Sequence, residues 1–540
     1  MGKILQKELP RSMYLHNIGQ LHDTVMESGC RDEAPTPSIL KTISWEVRQN
    51  SRLHNNELLS LQFMVEGKSN KPEDVLQKVF LFPKGVLLWS LRSIDIYHER
   101  TREDILYLDA TGSIMKKGKG SPPFYVYELV VRNPSKNSSP FPVATYLTCD
   151  HTTASVKYFL EAFLTDVAKA YGQRAVRPPL MLLCDGSIVI MQALCLSFMK
   201  TNLTNTIEHY YAIISGKGKS ADFDIPVLHR CRSHLMKNAK EICRKFAKQE
   251  YHLAMHVIGL FTTATTLQAL DDMVLSATVV FSSPCSGQNV EKHFKNLQLL
   301  MQDKRQTFEE NRKSEGLLDE DIQGKNIFAK HFSRLIAKAP LDKDGQTNVY
   351  YCDGFIHHLC QYILPYAALW SAMMLGDLGR HGTGTVYENA TRRYNFLKTL
   401  KRQNITDDNK TQGIMEKSQW DLKHVRFPSR RLTRLDDFVV QYQLIHTAML
   451  KEFDDHSRSL KRKSFRVDVE KWKQRNQKKR GRYVKGITKP FHFKGSSTQV
   501  LHLGCQFRSI TRPFQGAVCP LSQVSWDRFQ AIPCIRDRQC

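Results

Sequence analysis

The chain has 540 residues, room for about three to five domains on a prior of roughly 100–200 residues each. Lys and Arg number 78 against 53 Asp and Glu, a formal net charge of +25, which favours a polyanionic partner: nucleic acid first, an acidic membrane surface second. With 41% hydrophobic and 10% aromatic residues a mostly disordered chain is excluded, and the longest apolar stretch, Tyr362 to Leu375, is interrupted by Pro365 and falls short of the ~20 residues of a membrane span.

The first residues carry no long apolar run, so no secretory signal is expected, and Gln6 departs from the pattern that would suit myristoylation at Gly2. Thirteen scattered cysteines read as reduced thiols of an intracellular protein.

In chain order, residues 1–40 are polar and mixed and are expected to form an irregular leader. Residues 41–100 hold short apolar segments and read as an N-terminal α+β region. From 101 the rhythm is clearer. Ile105–Leu108 is a strand run ending at Asp109, and Ala110–Ser113 is a turn. Phe124–Val131 and Val143–Leu147 are two further strands. Apolar residues at helical spacing (Val156, Phe159, Leu160, Phe163, Leu164, Val167) predict a helix over 153–170. Leu180–Cys184 is a buried-strand run ending at Asp185, and a helical pattern follows from Ile188 to Met199. The order β-β-β-α-β-α is that of an α/β core with a strand returning after a crossover helix. The core's first part is assigned to 101–229. A mostly α-helical insertion covers 230–405, the core returns over 406–455, a basic segment covers 456–495, and an irregular tail with Cys505, Cys519, Cys534 and Cys540 covers 496–540.

Asp109 and Asp185 each end an apolar strand run. If those strands are parallel neighbours, both carboxylates emerge at one end of the sheet, an arrangement suited to Mg²⁺ or Mn²⁺. Two such ions serve phosphodiester chemistry by activating the attacking oxygen and stabilising the leaving one. Either Asp alone also reads as an ordinary strand-end turn.

The segments Leu106–Ser113 and Leu182–Ser187, with Cys231-Arg232-Ser233-His234 after them, resemble the catalytic core of cut-and-paste DNA transposases over roughly residues 100–430. The Cys-x-x-His element is similar to that of the Mutator-like group and its hAT and Kolobok relatives. The resemblance implies an RNase H-like mixed sheet with a large helical insertion, and an Asp/Asp/Glu triad binding two Mg²⁺ or Mn²⁺ ions. It also implies cleavage and strand transfer at the terminal inverted repeats of double-stranded DNA by a homo-oligomer in the nucleus. Asp109 and Asp185 match the two aspartates. For the Glu, Ile414–Lys423 matches the family's spacing at Glu416, with Trp420 and Lys423 at i+4 and i+7; Glu388 and Glu291 are the competing positions.

Cys231 and His234 are spaced like half a zinc site that His229 and Cys243 would complete, but the spacing fits no common finger. In the resembling transposases this pair is a structural or DNA-contacting motif. Cys352, His357, His358 and Cys360 read as part of a core helix. No membrane partner and no small-molecule cofactor is expected.

Arg458 to Lys494 holds 15 basic and two acidic residues, 15 − 2 = +13. Its clusters Lys461-Arg462-Lys463 and Lys478-Lys479-Arg480-Gly481-Arg482, interleaved with Trp472, Tyr483, Phe491 and Phe493, suit phosphate contacts and base stacking. They also fit a two-part nuclear import signal. Residues 1–100 contain one cysteine, Cys30, so no N-terminal zinc finger of the kind common in this group is encoded there. That and the irregular C-terminal tail motivate the alternative of a domesticated, non-catalytic nuclear DNA-binding protein; a third option is an RNase H-like nuclease acting on RNA or hybrids.

Overall fold

A computed structural model describes residues 10–455, apart from 30–31, 33, 51, 68–73, 102–104, 118–119, 121, 134–137, 174–177, 304–323, 394–412 and 428–431. The basic segment, with Lys461, Arg462, Lys463, Lys478, Lys479, Arg480 and Arg482, and the cysteine-containing tail lie outside the described residues.

The centre is a seven-stranded mixed sheet. Its strands are β1 (Leu76–Phe80), β2 (Gly85–Leu88), β3 (Leu106–Thr111), β4 (Tyr125–Val131), β5 (Phe141–Thr148), β6 (Met181–Cys184) and β7 (Val227–Arg230), in the spatial order β1-β2-β5-β4-β3-β6-β7. β1 through β5 pair antiparallel with their neighbours, whereas β6 runs parallel to β3 and β7 parallel to β6. The parallel steps need crossovers, and helices supply them.

Side-chain alternation sends the sheet's residues into two layers. On one face Leu87 and Trp89 join Tyr127, Leu129 and Tyr146 in the main core, covered by α1 (Leu91–Arg100) and α2 (Thr153–Tyr171). Thr152 caps α2 by accepting from the Ser155 amide, and Phe159 and Phe163 pack against Tyr146 and Trp89 at ring separations of 5.5 Å each. On the other face Val86, Leu88, Val126 and Leu147 meet Leu422, Phe427, Leu435, Phe438 and Tyr442 from the end of the described chain. That layer comprises α3 (Gly413–Asp421), the π-helical turn Leu422–Arg426 continuing it, and a helix over 435–455.

The stretch between β7 and α3 is helical, as expected from its periodicity. Arg232–Phe246, Tyr251–Phe261, Leu267–Ser282, Gln288–Asp303, Ile327–Ala337 and Thr385–Arg393 are its longer helices, and Cys285–Ser286 pairs with Gln346–Thr347 beside them. No helix among the described residues is long and apolar enough to cross a membrane.

Three expectations need correction. The leader is not irregular throughout: Pro10–Gln20 and Asp23–Glu27 are helical, and Met13 packs on Leu40 in a small separate cluster. β3 does not stop at Asp109, because its antiparallel ladder with β4 continues to Thr111↔Val126. The strand β7 stands where the helical insertion was to begin; His229 and Arg230 hide it from a pattern reading, although all four of its residues are buried.

The 435–455 helix also carries a buried imidazole. His446 Nε2 lies 3.1 Å from Ser90 Oγ and 2.9 Å from Ser93 Oγ. Burial, with the nearby Arg426 charge, lowers its pKa to about 3. Below pH ~6.5 the unfolded imidazole takes up a proton that the folded one refuses until about pH 3, so stability falls as pH falls through that window. Between pH 6.5 and 5 the expected loss from this residue is ~2 kcal/mol. Urea unfolding at the two pH values tests this, and His446→Gln is expected to flatten the dependence.

Candidate active site

The strand registers line up an unusual row of side chains. Asp109 on β3 is paired with Glu128 on β4. The parallel β3–β6 ladder ends at Leu108↔Cys184, so Asp109 and Asp185 are each the residue after its last pair, Asp109 still within β3 and Asp185 just past the end of β6. The β6–β7 ladder ends at Cys184↔Arg230, and the Cys231 amide donates to the Cys184 carbonyl at 2.8 Å. Glu128 and Asp109 are therefore paired across β4 and β3, and Asp185 and Cys231 are the first residues past the ends of β6 and β7 at the same end of the sheet. Asp109 and Asp185 are 5% and 7% exposed.

Each carboxylate is held. Asp109 Oδ1 accepts the Ala110 amide at 2.7 Å, and Oδ2 accepts Gln419 Nε2 at 2.8 Å. Asp185 Oδ1 accepts the Ser187 amide at 3.1 Å, an Asx turn that leads into the helix Ile188–Leu194. Its charge is felt by Tyr127, whose phenol hydrogen-bonds His151 and is pushed well up, first by burial and then by Asp185.

Glu128 is the carboxylate that pattern reading missed. Arg426 grips it bidentately at 2.6 and 2.9 Å, Ser418 Oγ donates to it at 3.0 Å, and Arg426 Nη2 also donates to the Ser418 carbonyl at 2.7 Å. Burial works against the Arg426 charge, but Glu128 prevails and raises its pKa above the ordinary guanidinium value. The signal was available: Glu128 is a lone charge inside the strand Tyr125–Val131. The pair ties α3 and its π-helical turn to the sheet beside Asp109.

Of the three glutamates, Glu416 is half-buried on α3, three residues before Gln419 and therefore on the helix face that reaches Asp109. Trp420, at i+4, is 58% exposed and leans on His424. Glu388 is exposed on the helix Thr385–Arg393, whose Tyr387 packs against Phe223. Glu291 is exposed in the first turn of Gln288–Asp303.

Cys231 is fully buried at the N-terminus of the helix Arg232–Phe246, and His234 is buried in its first turn. The Cys231-x-x-His234 element thus begins beside Cys184, the residue that precedes Asp185. Among the described residues no three His, Cys, Asp or Glu side chains gather as a metal group: neither Asp109, Asp185 and Glu416 nor His229, Cys231, His234 and Cys243 form one. Cys352 to Cys360 run through the turn and helix Phe355–His358, with Phe355, Ile356 and Leu359 turned into the core.

The chain is 26% identical over 191 residues to the "120.7 kDa protein in NOF-FB transposable element" of Drosophila melanogaster. The match takes in 34% of this chain and 17% of that protein, so the chain spans well under two thirds of its relative. No family model and no solved structure matches the chain.

Proposed function

We propose that the chain is a transposon-related, metal-dependent DNA nuclease and strand transferase, built on an RNase H-like core formed by β3 to β7. The observation that carries this reading is the parallel β3–β6 ladder, whose last pair, Leu108↔Cys184, immediately precedes Asp109 and Asp185. The strand order β5-β4-β3-β6-β7, with three antiparallel strands followed by two parallel ones, supports the core assignment. The similarity to a protein of a transposable element supports the substrate class.

The donors fit Mg²⁺ or Mn²⁺. Both are carboxylate oxygens, and Mg²⁺ is ordinarily held by one or two carboxylates with water and substrate phosphate oxygens completing the shell. A site with two adjacent aspartates is therefore a sufficient protein share. Asp109 and Asp185 would hold the ions together with Glu416, which α3 presents from the same side as Gln419. Bound ions supply charge neutralisation at the scissile phosphate and ease deprotonation of the attacking oxygen, water first and then a 3′-hydroxyl.

The chain's own residues do the rest. The Ala110 amide and Gln419 fix the rotation of the Asp109 carboxylate, and the Ser187 amide fixes that of Asp185. Arg426 cancels the charge of Glu128, so the row does not accumulate a third uncompensated carboxylate next to Asp109. The basic clusters from Lys461 to Arg482 complete the proposal as a phosphate grip and import signal, with terminal repeats as substrate, a homo-oligomer as active form and the nucleus as location.

The test is incubation of the full chain with supercoiled plasmid and Mn²⁺, beside an RNA–DNA hybrid of equal length. Nicked and linear DNA is expected, with the hybrid left intact; hybrid cleavage alone would assign the chain to the RNA-directed nucleases. The rival is a non-catalytic DNA-binding descendant, favoured by the absence of a three-ligand group among the described residues. Salt-dependent DNA binding without any nicking would select it.

A further inference from the structure

Gln419 touches one of the two carboxylates proposed to hold the cation. Its Nε2 is 2.8 Å from Asp109 Oδ2 and 3.5 Å from the Ala110 carbonyl, so the donor end of the amide faces β3. The acceptor end, Oε1, is a neutral hard oxygen on the same planar group and makes neither of these bonds to β3. Amide carbonyls are ordinary ligands for hard divalent cations.

The residue is also firmly placed. Its neighbour Ser418 is tied to Glu128 and Arg426, so α3 cannot slide along β3 without breaking a buried ion pair. Ligands on braced elements hold their geometry better than ligands on loops. A neutral oxygen has a further advantage here. The row already contains Glu128, Asp109 and Asp185, and another carboxylate against Asp109 would add repulsion in the absence of the ion.

We infer that Gln419 is a direct ligand of the divalent cation held by Asp109 and Asp185, contributing its amide oxygen from α3. The inference rests on the two-aspartate reading above and deepens it.

The experiment measures Mn²⁺ binding to the full chain, without DNA, by the electron paramagnetic resonance of free Mn²⁺. Gln419→Leu keeps the bulk and removes both polar ends; it is expected to weaken Mn²⁺ binding by at least the ~10–100-fold that loss of the hydrogen bond to Asp109 alone would cause. Gln419→Glu restores an oxygen ligand but no donor, and is expected to bind Mn²⁺ at least as tightly as the parent. Unchanged affinity in Gln419→Leu overturns the inference. Equal weakening in both variants also overturns it, because then only the hydrogen bond to Asp109 matters. A parent that binds no Mn²⁺, or one whose affinity survives Asp109→Asn and Asp185→Asn, removes the two-aspartate reading itself and the inference with it. Affinity lost in the aspartate variants but kept in Gln419→Leu removes the inference alone. Urea midpoints of all variants establish that the fold is retained, and Gln419→Glu carries the test should Gln419→Leu not fold.

Discussion

Mn²⁺-dependent nicking of supercoiled DNA is expected to fall ~10²–10⁴-fold in Asp185→Asn, with the fold intact. The magnitude follows from the several kcal/mol that a well-placed divalent ion contributes to a charged transition state, at ~1.4 kcal/mol per decade. The structural side is equally specific. Asn keeps an oxygen to accept the Ser187 amide, so the turn opening the helix Ile188–Leu194 survives while the charge is lost. Asp109→Asn is expected to abolish nicking too, at some cost in stability. Its two oxygens accept from two different donors, Ala110 and Gln419, and an Asn must turn its NH₂ towards one of them. Glu416→Gln is expected to follow the aspartates, whereas Glu388→Gln and Glu291→Gln leave nicking unchanged, since both side chains are exposed on helices of the insertion. Full activity in Asp185→Asn would remove the two-aspartate mechanism.

The parts legible from sequence were those with a local cause. The strand run Tyr125–Val131, the helix capped by Thr152 and the strand Met181–Cys184 followed by Asp185 are each written in consecutive residues. The strand β7 was not, because His229 and Arg230 break its apolar run and only burial between β6 and the helical insertion makes it a strand. The site divides in the same way. Asp109 and Asp185 announce themselves at the ends of apolar runs, but the parallel pairing of the strands that carry them to one end of the sheet depends on strand order. The bond from Gln419 to Asp109 and the grip of Arg426 on Glu128 join residues about 300 positions apart, and nothing near either residue encodes them. Glu128 in its apolar strand was readable as an anomaly, because a charge there must find a partner; which partner was not.

That partner makes the largest stability prediction. Glu128 and Arg426 have side chains 1% and 4% exposed, so neither has water to fall back on when the other is removed. Arg426→Met leaves a buried carboxylate in register with Asp109, and Glu128→Gln leaves a buried guanidinium with no anion to neutralise it and an NH₂ group turned towards it. Each is expected to cost about 3–5 kcal/mol in urea unfolding. The double variant Glu128→Leu/Arg426→Met removes both charges together and is expected to recover most of that loss, because an apolar pair of similar volume carries no desolvation penalty. Activity separates packing from position. Arg426 Nη2 also bonds the Ser418 carbonyl, and Gln419 follows Ser418, so the double variant regains stability while α3 loses the anchor beside Asp109. Nicking and Mn²⁺ affinity are therefore expected to stay depressed in the double variant. If both return with stability, the apolar packing of α3, with Met415 and Leu422 buried beneath it, is enough to hold Gln419 on Asp109, and the ion pair serves only to neutralise Glu128.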